Sequence, residues 1–502
     1  MCFVDFSSAF DLINRHILFQ KLIEQGLNGR LIDTLRDLYR KTHFRIKKGG
    51  KLSPVIENIM GVNQGGNASG FLFRKYMADL GDYLKSEFGV TVGSEIIAHI
   101  LWADDLILIS DNLDGIRKQL DGLKCFCFKN QMSVNELKTK IMVFGPKENI
   151  SVYFDKTLIE QVNEYKYVGC IIQSISKSYA DPFKLNYTYL CEQANKALFS
   201  IKHKLKPIGS LPPKAFFHLI NTCIKPILTY GSDVWGIYKY GRDTVDKMFL
   251  QVLKYAIGVK RSTCSLMVYG ETGQFPPSVS CLYNTFCFLN RISRMDKNAL
   301  VRQVYDELGV LNRCGFDNWY GKAWELMESY DMSENVNLEH FKKVAIKTLK
   351  TKFVQNWSES ILNIDQNPIT RTYSKFKHEF GMESYLEKVS NFKYRRAITK
   401  LRVSSHDLMI EKGRHHTINL DVEKRLCTKC GKIEDEIHFL VICPLYFKER
   451  TELFSKIDLD VKTLNADEIF GLLMSLRAKN HLEKLGEFIH SSFSKHREFS
   501  QS

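Results

Sequence analysis

Trp102-Ala103-Asp104-Asp105 stands between Ile97-Ala98-His99-Ile100-Leu101 and Leu106-Ile107-Leu108-Ile109-Ser110. Apolar runs on both sides predict two strands of one hairpin, with two adjacent carboxylates at its tip. Two acids repel each other at a tight turn, where a purely structural role would prefer Asn-Gly or Asp-Gly. A divalent cation between them relieves the repulsion. Mg2+ takes one or two carboxylates and fills its shell with water and substrate phosphates. A third acid stands at the chain start: Phe3-Val4-Asp5-Phe6 reads as a short apolar strand carrying one charge. A lone Asp in such a strand is costly unless it is paired or metal-bound. Any one of these acids also reads as a turn residue or a helix cap. Three on neighbouring strands form the donor set of two-metal phosphoryl transfer, in which ions about 3.5–4 Å apart clamp the attacking and leaving oxygens.

Around this hairpin the first 175 residues mix short strands with helices. Phe3–Phe6, Ala98–Ser110, Lys140–Phe144 and Tyr167–Ile172 are rich in Val, Ile and Phe and read as strands. From about 180 to 310 the pattern turns helical, with apolar residues at i, i+3, i+4 and i+7 in Cys191–Leu205 and Lys214–Leu228. Pro207-Ile208-Gly209-Ser210-Leu211-Pro212-Pro213 breaks the two. The rest is helical and basic. The 502 residues suggest about three domains, and 44% hydrophobic with 25% charged residues excludes a rod, a collagen or a disordered chain. A net charge of +15 points to a polyanionic partner. No apolar run reaches about 18 residues, so no membrane partner is expected. Thirteen scattered cysteines fit a reducing compartment rather than a disulfide framework. The chain opens straight into a strand, as a fragment or a shortened gene product would.

Phe3-Val4-Asp5-Phe6-Ser7-Ser8-Ala9-Phe10-Asp11 resembles motif A of the reverse transcriptases of non-long-terminal-repeat retrotransposons, and Trp102-Ala103-Asp104-Asp105 resembles their motif C. Gly61-Val62-Asn63-Gln64-Gly65 through Phe73 resembles motif B, Asn135–Lys140 with Ile141–Phe144 motif D, and Tyr165–Gly169 motif E, the primer grip. The five stand in the family's order. The resemblance implies an α+β polymerase palm over 1–175, a helical thumb over 176–310 and a helical basic C-terminal region over 311–502. It implies RNA-directed DNA polymerisation in target-primed retrotransposition, with an RNA template, a DNA primer and dNTPs. Asp5, Asp104 and Asp105 would hold two Mg2+ ions, and Lys138 would donate a proton to pyrophosphate, with Lys140 competing for that role. Phe10 would exclude a ribose 2′-hydroxyl. Gln64 and Gly65 would lie against the incoming nucleotide and template. Asn63 stands where the family has Arg, and Gly66–Gly70 where it has Cys-Pro-Leu-Ser-Pro. Trp102 replaces Phe or Tyr and, as an aromatic, can still pack. The family's fingers and endonuclease regions are not in these residues, so an inactive nucleic-acid-binding remnant is the alternative expectation.

Cys427, Cys430, His438 and Cys443 are spaced C-x2-C-x7-H-x4-C. Three thiolates and an imidazole make a closed tetrahedral set for structural Zn2+. The run also resembles the family's C-terminal knuckle. Before it, residues 391–430 carry ten Lys/Arg against four Asp/Glu, with Phe392 and Tyr394 interleaved. That mixture suits single strands held by phosphate contact and stacking. Lys202, Lys204, Lys206 and Lys214 read as a duplex-facing surface or a solvated helix face. The resemblance places such a protein in nucleus and cytoplasm.

Overall fold

The computed structural model describes residues 1–146, 148–175, 181–206, 211–332, 338–415 and 418–499. Pro207–Ser210 of the Pro/Gly loop lie outside them. The architecture is mixed α+β, with a five-stranded sheet, five two-stranded ones and many helices among the described residues, and it divides into two compact units. One holds Met1–Asn186 with Met295–Gly321, the other Tyr187–Arg294 with Lys322–Ser502.

The first unit is built on a five-stranded sheet. Its order is Glu160–Gln161, Lys140–Ile141, Cys2–Val4, Asp105–Leu108, His99–Trp102. All neighbours are antiparallel except the parallel outer pair Lys140–Ile141 and Glu160–Gln161. Successive strand residues point to opposite faces. Cys2, Val4, Leu106 and Leu108 therefore join one core with Ile116, Leu120 and Leu123, while Phe3, Ile107, Ile109 and Met142 form another with Tyr165 and Tyr167. Both faces are covered, which is why every residue of Cys2–Val4 is buried. The helix Leu113–Lys129 presents Ile116, Leu120, Leu123 and Cys127 as one stripe, and the Asn112 side chain caps it by accepting from the Gly115 amide. Each such aliphatic side chain contributes about 1.5–3 kcal/mol on full burial.

Met295–Gly321 closes this unit. Its helix Leu300–Arg313 lies against the strand Val90–Val92, and Tyr305 packs on Tyr320 with ring centroids 4.9 Å apart.

The second unit is helical. Trp235, Phe249, Phe286 and Trp357 are buried in it. Lys239–Ile257 and Pro277–Ile292 pack together, and Phe392–Arg402 packs along Lys479–Phe499. Arg402 lies in its interior, 3% exposed. The guanidinium makes a two-pronged contact with Glu271 (2.9 and 3.0 Å), approaches Glu383 at 3.2 Å and donates to the Met474 carbonyl at 2.7 Å. Among the described residues no helix is long and apolar enough to cross a membrane.

Candidate functional site

Trp102 pairs with Asp105, so the hairpin turn is the two residues Ala103-Asp104. Only Asp104 sits at the tip, while Asp105 opens the second strand. Ala103 has φ +56°, a left-handed conformation that a two-residue hairpin turn demands and that glycine adopts more readily. Trp102 does not pack inward. It is 68% exposed, because it shares the open face of an edge strand with Ile100.

Val4 pairs with Leu106. Carried one residue on, this register sets Asp5 opposite Asp105, on the face of Phe3 and Ile107. Burial, then the charges of Asp104 and Asp5, raise the Asp105 carboxyl above its ordinary value. Like charges converging on partly open oxygens are what a divalent cation neutralises, and the donor set is all hard oxygen.

The segment after Leu113–Lys129 returns to the same place. The Asn135 amide donates to the Asp5 carbonyl at 2.7 Å, and the Asp5 amide donates to Thr139 Oγ1 at 3.2 Å. Lys138 Nζ stands 3.8 Å from Asp5 Oδ2. Lys140 is committed elsewhere, to Glu160 and the Leu137 carbonyl, each at 2.6 Å. Of the two lysines, Lys138 is the one at the carboxylates.

Tyr165 stacks on Phe3 at 4.2 Å. Burial, then the charges of Asp5 and Asp105, push its hydroxyl up to about 12. Tyr167–Ile172 is not one strand, as its apolar pattern predicts. Glu164–Tyr167 and Cys170–Gln173 form a hairpin, with Tyr167 opposite Cys170 across the turn Val168-Gly169. Both turn residues have positive φ, +44° and +81°. A β-branched residue is a poor fit there. Val168→Asn, which makes the favoured Asn-Gly turn, should raise stability by about 1 kcal/mol, read as a higher Tm. An unchanged or lower Tm would refute the turn assignment.

Residues 61–73 lie on the loop after Asp5. The Val62 amide donates to the Phe10 carbonyl at 2.9 Å and the Gly61 amide to the Ile13 carbonyl at 2.8 Å. Phe10 stacks on Phe73 at 4.3 Å. Gly61 has φ +73°, and a Cβ there would sit 2.5 Å from the Asp11 carbonyl oxygen. Gly61→Ala should therefore lower stability by about 2 kcal/mol in a denaturant melt. Gln64 and Gly65 are exposed; the Gln64 amide reaches Asp11 at 3.4 Å, and neither residue bonds to the three aspartates.

Sequence reasoning missed Arg15. Its guanidinium donates to the carbonyls of Gly61, Tyr39, Asn58 and Met60 and to Thr42 Oγ1, at 2.8–2.9 Å. It thereby holds residues 39–61 in place beside the Phe10 loop. A cation in the first turn of a helix opposes the helix dipole, and that local misfit was the available signal.

In the second unit, Cys427, Cys430, His438 and Cys443 bring all four ligand atoms within 4.8 Å of one another. It is the one such set among the described residues. Cys427 Sγ and Cys443 Sγ are 3.9 Å apart, and Cys430 Sγ is 3.4 Å from His438 Nε2. A disulfide would need about 2.05 Å. The edge of a tetrahedron with Zn–S bonds of about 2.3 Å is about 3.8 Å. Gly431, φ +67°, turns the chain so that its amide donates to the Cys427 carbonyl. Burial lowers the His438 pKa, which keeps the imidazole a neutral ligand. Burial, with the neighbouring sulfurs, pushes the Cys443 thiol up to about 12, so the ligand set binds protons when no cation is present. The arrangement is compatible with structural zinc. Buried Glu436 anchors it, accepting from Ser404, Thr372 and Arg371 at 2.6–3.1 Å, with His406 Nε2 at 3.1 Å.

Residues 1–172 match the family described as reverse transcriptase (RNA-dependent DNA polymerase). The chain is 26% identical over 179 residues to the Retrovirus-related Pol polyprotein from type-2 retrotransposable element R2DM of Drosophila melanogaster, covering 33% of this chain and 17% of that protein. It is 24% identical over 286 residues to the R2 Pol polyprotein of Popillia japonica, covering 53% and 38%. A transposon-derived protein of Caenorhabditis elegans is 24% identical over 153 residues, covering 30% and 52%. The chain thus spans roughly half or less of the length of these relatives. Residues 1–172 are a reverse transcriptase domain, and the chain is related to the Pol polyproteins of R2 non-long-terminal-repeat retrotransposons.

Proposed function

We propose that this chain is an RNA-directed DNA polymerase that copies an RNA template from a DNA primer 3′-hydroxyl in target-primed retrotransposition. The observation that carries the reading is the register that sets Asp5 opposite Asp105 with Lys138 3.8 Å from Asp5. Asp5, Asp104 and Asp105 would hold two magnesium ions. Such ions would supply a lowered pKa for the primer hydroxyl and charge neutralisation for the triphosphate and pyrophosphate. Lys138 stands where an ammonium can hand a proton to pyrophosphate. The hairpin Glu164–Gln173, stacked on Phe3, would seat the primer end beside the carboxylates. Phe10 would crowd a 2′-hydroxyl and so select dNTPs, while Gln64 and Gly65 would face the incoming nucleotide and template. Residues 1–175 would form the palm, 176–310 the thumb and 311–502 the basic C-terminal region. Cys427, Cys430, His438 and Cys443 would bind one structural zinc. Nucleus and cytoplasm are the compartments this role requires.

Primer extension on an RNA template with dNTPs and Mg2+ tests the reading. Asp104→Asn should reduce extension about 1,000-fold, the equivalent of about 4 kcal/mol in the barrier. RNA binding without any extension by the unaltered chain would instead support a non-catalytic binding remnant.

A further inference from the structure

The second unit carries a groove of about 790 Å³ among the helices Lys184–Leu205, Lys239–Ile257 and Phe392–Arg402. Phe392 and Arg396 also line a smaller cleft, of about 190 Å³, between Phe392–Arg402 and Lys479–Phe499. The shared residues make the two hollows one track.

Three aromatic rings are open along the groove: Phe199 is 70% exposed, Tyr255 53% and Phe392 42%. Lys202 Nζ sits 3.5 Å from the centre of the Tyr255 ring. Lys393, Lys400 and Arg497 continue the positive charge into the cleft. Among the described residues Asp407 is the one acid in either lining, and Lys260 takes it at 2.6 Å. Burial, then Arg396, lowers the Lys400 pKa, with Lys260 and Arg497 adding to this against the opposing charge of Asp407. Among the described residues neither lining contains Asn, Gln, Ser or Thr. The amide and hydroxyl side chains that pair with adenine edges or a 2′-hydroxyl are therefore lacking among them. An acidic peptide would satisfy the cations and leave the three rings idle. A strand with both phosphates and flat bases uses both.

We propose that this track binds single-stranded nucleic acid, with phosphates on Lys202, Arg396, Lys400 and Arg497 and bases stacked on Phe199, Tyr255 and Phe392. It does so without preference for base sequence or sugar. The binding needs neither the carboxylates nor polymerisation.

Fluorescence anisotropy of the full chain, without Mg2+ or nucleotides, tests this with labelled oligo(rU), oligo(dT) and a duplex of equal length. The two single strands should bind within about threefold of each other. Phe199→Ala and Phe392→Ala should each weaken single-strand binding about tenfold and leave duplex binding unchanged. Lys400→Gln should lower the salt slope by about 0.7. Circular dichroism checks that each variant is folded. Folded aromatic variants that bind single strands like the unaltered chain would overturn the proposal. So would an equal loss for duplex, or displacement by polyglutamate as effective as by oligo(dT).

Discussion

Replacing Arg402 with methionine should lower the stability of the second unit by about 3–5 kcal/mol, the usual effect of removing one partner from a buried ion network. The change strands Glu271, fully buried, and weakens the hold on Glu383. It also removes the donor to the Met474 carbonyl and the cation over the Phe376 ring, 4.5 Å from its centre. Urea melts give the number. The double change Arg402→Met with Glu271→Gln should recover a substantial part, because Glu271 then carries no charge and Glu383 keeps Lys377 and Arg477. A single variant as stable as the unaltered chain would mean that the network adds nothing. The same network has a pH signature. Burial pushes Glu383 up, but Arg402, Lys377 and Arg477 together outweigh it and hold the carboxyl below its ordinary value. Its contribution is therefore fully present above the unfolded glutamate pKa of about 4.3 and is lost as pH falls through the lower folded value. Unaltered protein should lose stability on acidification from pH 5 more steeply than Glu383→Gln.

The second large effect concerns the Cys/His cluster. Purified chain should contain one zinc per molecule by atomic emission. Cobalt substitution should give the d–d absorption of a tetrahedral thiolate site. Apparent zinc affinities in small knuckles reach about 10–16 kcal/mol, and much of that is folding free energy. Chelation or Cys430→Ser should therefore unravel residues 426–446. The loss should spread, since Glu436 and Glu434 tie this segment to Arg371, Thr372, Ser404 and His496. Metal-free protein with unchanged hydrogen-exchange protection over those residues would defeat the assignment.

What the sequence disclosed, and what it concealed, follows from where the information lies. The hairpin around Asp104 was legible because short apolar runs flanking a polar turn are a local signal. The cysteine and histidine spacing was legible for the same reason, since all four ligands fall within 17 residues. The turn at Val168-Gly169 was hidden, because a valine at positive φ contradicts the propensity from which strands are read. Arg402 was illegible as a keystone, since it gathers carboxylates and a carbonyl from segments far apart in the chain and nothing local marks it as buried. Arg15 left only the weak local sign of a cation in the first turn of a helix. The region up to about 310 read as helical, but a helical pattern does not say against which element the helix Leu300–Arg313 rests.

The strand Cys2–Val4 sits in the middle of its sheet, yet both of its neighbours come from more than a hundred residues further on, Cys2 meeting Leu108 on one side and Ile141 on the other. During synthesis on the ribosome these apolar residues have no lateral partner until the later strands emerge. Helices formed in between cannot complete the unit, which also waits for Met295–Gly321. Such a topology folds slowly and late, with its most adhesive segment uncovered in the interval. Yield in a cell should then depend more on chaperone supply and translation speed than on the stability of the finished fold.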